Sequence, residues 1–358
     1  MPAPQVQTLS ATLDYTPCVF QGNWLNLLFV EDVQRIAPRA LLHSLAAPSL
    51  IEERRLVLDA QPTGHRFPVF SITSRPDPTA LSKRLFGSFD QARHLLQTQS
   101  GLSKHISEQV KRLSPDVVAF IIVDGLSYYD LQEGQSDPCL VEGPTITQNG
   151  FRQAIGRPSL GQRLFELGYK HQHAFTYFNR DSNELAGDLH RVFGAAQVTT
   201  VRTFDEILES DAINAAASYV QVTMPGLDAL SHSHRDRPPV ASYLALIFER
   251  FEKLTEALAT QGRRVLAVLT ADHGLLWRDA MDTPKYIDSS TVRADSNHPR
   301  YLLGTATRDY TRVVRLKDRT YSLLGFPYLT RKIRSNEWGV HGGISAWESL
   351  VPLISREL

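Results

Sequence analysis

The run VVAFIIV, residues 117–123, is the feature of this sequence that most restricts its fold. Seven consecutive apolar residues, most of them β-branched, are typical of a strand buried on both faces, as in a parallel sheet. Two similar runs, residues 219–223 and 264–270, follow stretches that have helical periodicity. Strands that alternate with helices predict an α/β fold with a mostly parallel central sheet flanked by helices.

The rest of the chain divides into two parts. Residues 1–111 give weak signals of both helices and strands and predict a small accessory α+β region. Residues 112–358 predict the main domain, with an insertion of short strands around residues 275–337. Helices are predicted at residues 81–96, 103–113, 159–167, 204–218 and 241–261. A terminal helix is predicted after Ser345, with Glu348 completing a capping box.

Composition excludes several classes of protein. The 38 Lys and Arg residues are balanced by 38 Asp and Glu residues, which argues against nucleic-acid binding through a broad basic surface. Two cysteines are too few for a disulfide framework or a four-cysteine zinc site. The N-terminus lacks a secretory signal, and no apolar run approaches the roughly 20 residues of a membrane helix. We therefore expect a cytoplasmic protein without a membrane partner.

Acidic residues follow each of the three apolar runs. Asp124 comes directly after the first run, Asp272 comes two residues after the third, and Asp228 follows the second after a short turn. The carboxyl ends of parallel strands share one edge of a sheet, where three carboxylates would repel one another unless cations lay between them. His232, four residues after Asp228, and His273 add imidazoles of the kind that bind zinc or manganese. Two divalent ions, three carboxylates and one deprotonated hydroxyl would give a neutral site.

Four motifs occur in the order found in one family of enzymes: Asp124-Gly125, Asp228-x3-His232, Thr270-Ala-Asp272-His273-Gly274 and His341-Gly-Gly-x-Ser345. They resemble the metal-binding motifs of the alkaline phosphatase superfamily, nearest its PglZ-domain branch, with the nucleotide pyrophosphatase/phosphodiesterases more distant. The segment Pro144-Thr-Ile-Thr147-Gln148 is similar to the nucleophile segment of those enzymes. The resemblance covers residues 112–358 and implies an alkaline-phosphatase-like sheet.

The resemblance implies two sites for divalent metal ions, most simply zinc, with manganese as the alternative. The ligands that it implies are Asp124, Asp272, His273 and the Thr147 hydroxyl at one site, and Asp228, His232 and His341 at the other. Metal coordination activates hydroxyl nucleophiles, and two metals can stabilise an in-line displacement. The implied reaction is attack by Thr147 on phosphorus, followed by hydrolysis of a phosphothreonine.

Other polar residues near Thr147 leave alternatives open. Thr145 also carries a hydroxyl, although the spacing from the preceding proline favours Thr147. Asn149 lies near the place of an asparagine that binds a phosphoryl oxygen in related phosphodiesterases, but not in the same register. Arg152 is a second candidate for that contact, or a solvated helix residue.

The substrate is the least constrained part of the hypothesis. Between Arg293 and Arg334 there are ten basic residues and three acidic ones, a net charge of plus seven, with interleaved aromatic residues. Such a segment is typical either of a nucleic-acid contact or of a solvated edge with half-buried rings. Together with the resemblance, this segment favours a nucleotide or oligonucleotide phosphodiester as the substrate. The resemblance also implies a role in phage defence with protein partners. The alternatives are a non-catalytic nucleotide-binding or scaffold subunit of a phage-exclusion complex, and a phosphomonoesterase.

Overall fold

A computed structural model describes residues 19–22, 24–29, 55–57, 69–72, 74–177, 198–201, 217–234, 236–287, 293–294, 298–316 and 319–358. The strands are β1 (Val19–Gly22), β2 (Arg55–Val57), β3 (Val69–Ile72), β4 (Gln97–Thr98), β5 (Val117–Asp124), β6 (Asp137–Leu140), β7 (His171–Thr176), β8 (Val198–Val201), β9 (Ser218–Pro225), β10 (Val265–Ala271), β11 (Leu276–Trp277), β12 (Lys285–Tyr286), β13 (Arg293–Ala294), β14 (Tyr301–Leu303), β15 (Thr311–Leu316), β16 (Arg319–Leu324), β17 (Tyr328–Leu329), β18 (Gly339–Val340) and β19 (Leu350–Glu357). The α-helices are α1 (Pro78–Gly87), α2 (Phe89–Leu95), α3 (Leu102–Leu113), α4 (Thr147–Ile155), α5 (Leu160–Glu166), α6 (Leu227–Ser231), α7 (Val240–Leu258) and α8 (Ala346–Ser349).

The central sheet has eight strands in the order β4-β6-β19-β10-β5-β9-β7-β8. Its neighbours are parallel except where β19 pairs with β10 and with β6. The predicted fold class, a mostly parallel central sheet flanked by helices, is confirmed. Because β5 pairs in parallel with β10 on one side and β9 on the other, the ends of the three predicted strands meet at one edge.

The apolar run that predicted β5 lies at the centre of the main hydrophobic core. Its residues are almost completely buried, and so are those of β10. Helices α3, α5 and α7 contribute their apolar faces to the same core, for example through Leu102, Leu164 and Phe251. Burying one such side chain stabilises the fold by about 1.5 to 3 kcal/mol. The edge of the sheet where the three predicted strands end therefore belongs to a rigid layer. Among the described residues, no helix is long and apolar enough to cross a membrane.

The predicted boundary between residues 111 and 112 falls inside α3. This helix buries Leu102, Ile106 and Val110 in the main core, and β4 joins the central sheet beside β6. Residues from β4 onward therefore pack with the main body. Before them, β1 pairs with β2 and with β3 in a separate three-stranded sheet.

The insertion predicted around residues 275–337 contains small sheets. Strands β13, β14, β16 and β15 form one of them, in that order. Its Tyr301, Tyr321 and Leu323 share a hydrophobic cluster with Leu81 and Leu85 of α1. The N-terminal helices therefore support the insertion directly.

Two predicted elements differ from the structure. The helix predicted over residues 81–96 is confirmed as two helices, α1 and α2, divided at Ser88. The terminal helix is wrong in extent, because α8 has only four residues and continues into β19. Ser345 caps α8 as predicted, but the Glu348 carboxylate bonds Arg300, Gly343 and Ser345 instead of closing a capping box. The predicted helix at residues 204–218 lies almost entirely outside the described residues.

Candidate metal centre

Three carboxylates meet at the carboxyl edge of the central sheet. Strand register aligns Ala271 with Val123, so Asp124 and Asp272 leave adjacent strands at the same level. Asp228 lies in the first turn of α6, just after β9. Gly125 permits this approach, because a Cβ atom there would lie 2.8 Å from the Asp228 Cβ atom, and its φ of 72° favours glycine. The predicted convergence of these acids is therefore present in the structure.

Asp124, Asp272 and His273 form the first group of ligand-type residues, with candidate ligand atoms within 4.8 Å of one another. Nε2 of His273 lies 3.9 Å from Asp124 Oδ1 and 3.7 Å from Asp272 Oδ2. The backbone N–H groups of Gly125 and His273 donate to Asp272 Oδ1 at 3.0 and 2.8 Å, which fixes this carboxylate. Burial raises the pKa of Asp272 to about 8. A bound cation would offset that cost of ionisation.

Thr147 is the first residue of α4 and lies beside this group. Its Oγ1 atom is 3.2 Å from His273 Nε2, and its side chain is exposed. Gly150 allows α4 to lie against the end of β10, since a Cβ atom there would be 1.7 Å from the Asp272 carbonyl oxygen. The helix therefore presents the Thr147 hydroxyl to the first group.

Thr145 occupies a different environment from Thr147. Its side chain is completely buried, and its hydroxyl donates to the Gly343 carbonyl oxygen at 3.1 Å and accepts from the Gly342 N–H at 2.8 Å. A hydroxyl enclosed by these bonds cannot reach a substrate. Of the two threonine hydroxyls, that of Thr147 is the one that is accessible.

Asp228, His232 and His341 form the second group. Oδ1 of Asp228 lies 3.4 Å from His232 Nε2 and 3.3 Å from His341 Nε2. His341 Nδ1 donates to the Thr145 carbonyl oxygen at 2.8 Å, which leaves Nε2 as the lone-pair atom facing the group. Burial lowers the pKa of His341 to about 4, so its ring is neutral at pH 7, as a metal ligand requires. The adjacent Asp228 carboxylate raises the pKa of His232.

The two groups are adjacent. The rings of His273 and His341 stack with centroids 4.1 Å apart and planes 12° from parallel. Asp228 Oδ1 is buried, and no donor among the described residues makes a regular hydrogen bond to it. A buried anionic oxygen surrounded by imidazole nitrogens is the environment that a divalent ion completes. The donor set of carboxylates, imidazoles and one hydroxyl therefore fits the predicted ions.

The loop that carries His341 is held by a buried ion pair that the sequence did not reveal. The Arg300 and Glu348 side chains are both inaccessible to solvent, and their closest N and O atoms are 2.8 Å apart. The Arg300 guanidinium also donates to the Leu324 and Ile344 carbonyl oxygens, and Glu348 accepts the Gly343 N–H. These bonds tie the insertion to the His341 loop.

His298 also lies at the site, although sequence analysis missed it. Its ring centroid is 4.9 Å from that of His341 and 5.5 Å from that of Tyr301. In the sequence it is marked only by its position two residues before Arg300. That position indicates no function until the fold is known. The structure therefore adds a histidine beside the second group.

The two predicted phosphoryl contacts differ in their surroundings. The Asn149 amide nitrogen donates to the Pro144 carbonyl oxygen at 2.8 Å and, more weakly, to that of Glu142 at 3.3 Å. These bonds hold the loop before Thr147, and the contact of Asn149 with a phosphoryl oxygen stays a prediction. Arg152 is exposed and has no carboxylate partner among the described residues, so it is free to contact substrate.

Part of the basic segment is neutralised within the fold. Besides Arg300, it supplies Arg312, which pairs with Asp90 at 2.7 Å, and Arg331, which pairs with Glu337 at 2.7 Å. Several aromatic residues pack inward or on each other, as Tyr310 and Tyr328 do with ring centroids 4.3 Å apart. The structure thus favours the interpretation of half-buried rings over a broad nucleic-acid surface.

No family model matches the sequence. No curated protein matches it either. Among solved structures, an inactive variant of murine ectonucleotide pyrophosphatase/phosphodiesterase 5 in complex with AMP is similar over 67% of this chain and 87% of its own, with 10% identity and a TM-score of 0.43. The C-terminal periplasmic domain of phosphoethanolamine transferase EptC from Campylobacter jejuni matches 68% of this chain and 79% of its own, with 8% identity and a TM-score of 0.34. For EcEptC from Escherichia coli the shares are 48% and 65%, with 12% identity and a TM-score of 0.31. The functional assignment therefore rests on the side chains of the site.

Proposed function

We propose that this chain is a two-metal phosphodiesterase that hydrolyses nucleotide or oligonucleotide phosphate esters with Thr147 as its nucleophile. One observation carries the proposal. The exposed Thr147 hydroxyl lies 3.2 Å from His273 Nε2, beside two adjacent groups of three ligand-type residues. An accessible hydroxyl next to two candidate cation sites is the arrangement that phosphoryl transfer requires.

Each group would hold one divalent ion, with zinc as the first choice and manganese as the second. Asp124, Asp272 and His273, with the Thr147 hydroxyl, would bind one ion. Asp228, His232 and His341 would bind the other. When bound, such ions lower the pKa of a nearby hydroxyl and offset the charge of a phosphoryl group.

Thr147 and His341 have defined roles in the proposed reaction. Thr147 Oγ1 attacks phosphorus and loses its proton, the ester bond to the leaving oxygen breaks, and that oxygen takes up a proton. Water then hydrolyses the phosphothreonine and restores the hydroxyl. His341 keeps one ring tautomer through its bond to the Thr145 carbonyl oxygen, so its Nε2 atom faces Asp228 throughout.

The order of the motifs supports placing residues 112–358 in the alkaline phosphatase superfamily, in its PglZ-domain branch. The same resemblance supports a role in phage defence, with partner proteins and a cytoplasmic location. Its test is co-purification of the full chain with partner proteins from its host. The alternatives are a non-catalytic nucleotide-binding or scaffold subunit and a phosphomonoesterase.

A substrate comparison separates these functions. We expect hydrolysis of bis(p-nitrophenyl) phosphate to be faster than hydrolysis of p-nitrophenyl phosphate, to depend on zinc or manganese, and to stop in chelator. Preference for the monoester would establish the phosphomonoesterase. A folded, metal-loaded protein that hydrolyses neither ester but binds nucleotides would establish the non-catalytic subunit.

Substitution of Thr147 tests the nucleophile. Thr147→Ala is expected to lower kcat by roughly a thousandfold or more while the metal content stays near that of the unmodified chain, because the other ligands remain. Thr147→Ser keeps a hydroxyl and should retain part of the activity. Thr307→Ala, which removes an exposed hydroxyl outside the site, is the matched control. Unchanged kcat in Thr147→Ala would move the nucleophile elsewhere.

A further inference from the structure

A cleft of about 600 Å³ lies beside the N-terminus of α4. Ile146 and Gln148, the neighbours of Thr147 on either side, form part of its wall. The remaining wall comes from the rest of α4 and the turn after it, and from the hairpin of β15 and β16. The cleft therefore lies beside the segment that carries Thr147, although Thr147 itself and the two groups of ligand-type residues do not line it.

Three arginines line this cleft: Arg152 on α4, Arg157 after it, and Arg319 on β16. None of its lining residues is Asp or Glu. Within the described part of the chain, none of the three guanidinium groups has a carboxylate partner. Their charges are therefore available to a ligand, and we refer to this feature as the arginine cleft.

These arginines differ from others in the same part of the molecule. Arg300, Arg312 and Arg331 are each paired with a carboxylate in the fold. If the cleft arginines served only to stabilise the fold, we would expect them to be paired with carboxylates in the same way. Three unpaired cations around one concave surface instead form a site for an anion with several oxygens, for which guanidinium groups are well suited.

The apolar part of the cleft wall limits the chemical groups that can be attached to that anion. Ile146 and Leu316 present half-buried aliphatic side chains, and Tyr321 is buried with its ring edge-on to Tyr301 at 5.3 Å. An aliphatic and aromatic wall beside three arginines fits a sugar or base attached to a phosphate. Tyr321 belongs to the hydrophobic cluster shared with α1, which keeps this wall fixed.

The spacing along α4 relates the cleft to the reaction. Arg152 follows Thr147 by five residues, which places its Cα atom about 7.5 Å farther along the helix axis. Gln148 and Arg152, at positions i and i+4, lie on the same helix face and both line the cleft. Because Gln148 adjoins Thr147 in the chain and lines the cleft, a substrate with one phosphorus atom at Thr147 can place a second phosphate among the arginines.

We infer that the arginine cleft binds a second phosphate group of the substrate, next to the diester that Thr147 attacks. The inference rests on the proposed function and narrows it to diesters of phosphorylated nucleotides. A diester that carries this additional phosphate is bound and hydrolysed better than the same diester without it.

The test compares dithymidine phosphate with its 5′-phosphorylated and 3′-phosphorylated forms, using the full metal-loaded chain. At least one phosphorylated form should have a kcat/KM roughly tenfold higher, equivalent to one or two charge-assisted contacts. This ratio should fall towards one in Arg319→Ala and in Arg157→Ala, and it should shrink as salt is added. All the substituted side chains are exposed, so the variants should fold.

Arg315→Ala is the matched control. Arg315 is exposed on the same hairpin but does not line the cleft, so its loss removes an equal charge from nearby without removing a contact. It should preserve the ratio. An equal reduction in Arg315→Ala and Arg319→Ala would show that general charge attraction, and not the cleft, selects the substrate.

A binding measurement makes the inference independent of turnover. In the Thr147→Ala protein, calorimetry should show tighter binding of a phosphorylated dithymidine than of dithymidine phosphate, and Arg319→Ala introduced into that protein should remove the difference. Equal affinities and equal kcat/KM values would overturn the inference, while hydrolysis of bis(p-nitrophenyl) phosphate would leave the proposed function standing. Failure to hydrolyse any diester would count against the proposed function, and the affinities would still decide the role of the cleft.

Discussion

Asp272 is the most deeply buried carboxyl group among the ligand-type residues, so its ionisation has a cost in the folded state. Its folded-state pKa of about 8 lies above the ordinary value of 3.8. A carboxyl group with a raised pKa stabilises the fold below its unfolded pKa, and that contribution is lost as the pH rises through the folded value. In chelator, the stability of the protein should therefore fall between about pH 4 and pH 8.

Asp272→Asn isolates this effect, because the amide oxygen can still accept the two backbone N–H groups that bond Asp272 Oδ1. In chelator at pH 8, we expect the variant to be more stable than the unmodified chain by several kcal/mol, since the pKa of Asp272 lies about four units above its ordinary value and each unit is worth about 1.4 kcal/mol. The difference should shrink at pH 5. With zinc the order should reverse, because the amide is a poor ligand. Denaturant titrations at both pH values measure all three comparisons, and identical stabilities in chelator would contradict the buried charge.

The ligand-type residues could be predicted because each follows a local signal. Asp124 ends the buried strand β5, Asp272 directly follows the buried strand β10, and His232 lies one helical turn after Asp228. The ion pair of Arg300 and Glu348 has no such signal, since its partners are brought together only by the fold. The burial that separates Thr145 from Thr147 also depends on distant contacts with Gly342 and Gly343.

At the scale of elements, the contact between α4 and the end of β10 positions Thr147. Gly150→Ala would place a methyl group 1.7 Å from the Asp272 carbonyl oxygen, so α4 must move away. We expect a loss of about 1 to 3 kcal/mol in stability and a large reduction in kcat, because Thr147 moves with the helix. Thermal unfolding and turnover of bis(p-nitrophenyl) phosphate measure the two effects.

Gly87→Ala in α1 is the matched control for this substitution. A Cβ atom at Gly87 meets nothing within 4 Å, so the same exchange should raise stability by about 0.5 to 1 kcal/mol and leave kcat unchanged. Normal turnover in Gly150→Ala would show that the placement of α4 does not control Thr147.

Strand β19 shows why one element could not be predicted. The segment after Ser345 begins with a helix-capping pattern and contains Pro352, which argues against a central strand. In the sheet, the first half of β19 pairs with β6 and the second half with β10. Pro352 lies opposite Pro138, so this position of the ladder has no N–H group on either strand. Tertiary pairing thus overrides both local signals.

At the scale of the whole molecule, the two groups of ligands connect separate parts of the chain. The end of β5, the segment of α6 after β9, the residues after β10 and the loop before β19 all contribute, so bound ions would crosslink the folded state and not the unfolded one. Chelation should therefore lower the melting temperature by several degrees, because an ion at a hundred times its Kd contributes about 2.7 kcal/mol. Calorimetry with zinc, manganese and chelator measures the change. An unaltered melting temperature after confirmed metal removal would contradict the proposed sites.

The N-terminal region was predicted only as an accessory part, because its helices carry no chemical motif. In the structure, Leu81 and Leu85 of α1 and Phe89 of α2 share a hydrophobic cluster with Tyr321 of the insertion. Arg312 adds an ion pair to Asp90 and lies over the Phe89 ring at 5.2 Å. Such contacts between distant segments leave no periodic trace in the sequence. They make the N-terminal helices part of the support of the arginine cleft.

The position of β19 also has a consequence for the order in which the protein can assemble. Its neighbours β6 and β10 precede it in the chain, and Leu350 pairs with Leu140 from far earlier in the sequence. A ribosome therefore releases β5, β9 and β10, with their three aspartates, before the strand that joins β10 to β6 has been made. The nascent chain must keep an open sheet edge until that strand emerges, and only then does Glu348 reach Arg300 and bring His341 into place.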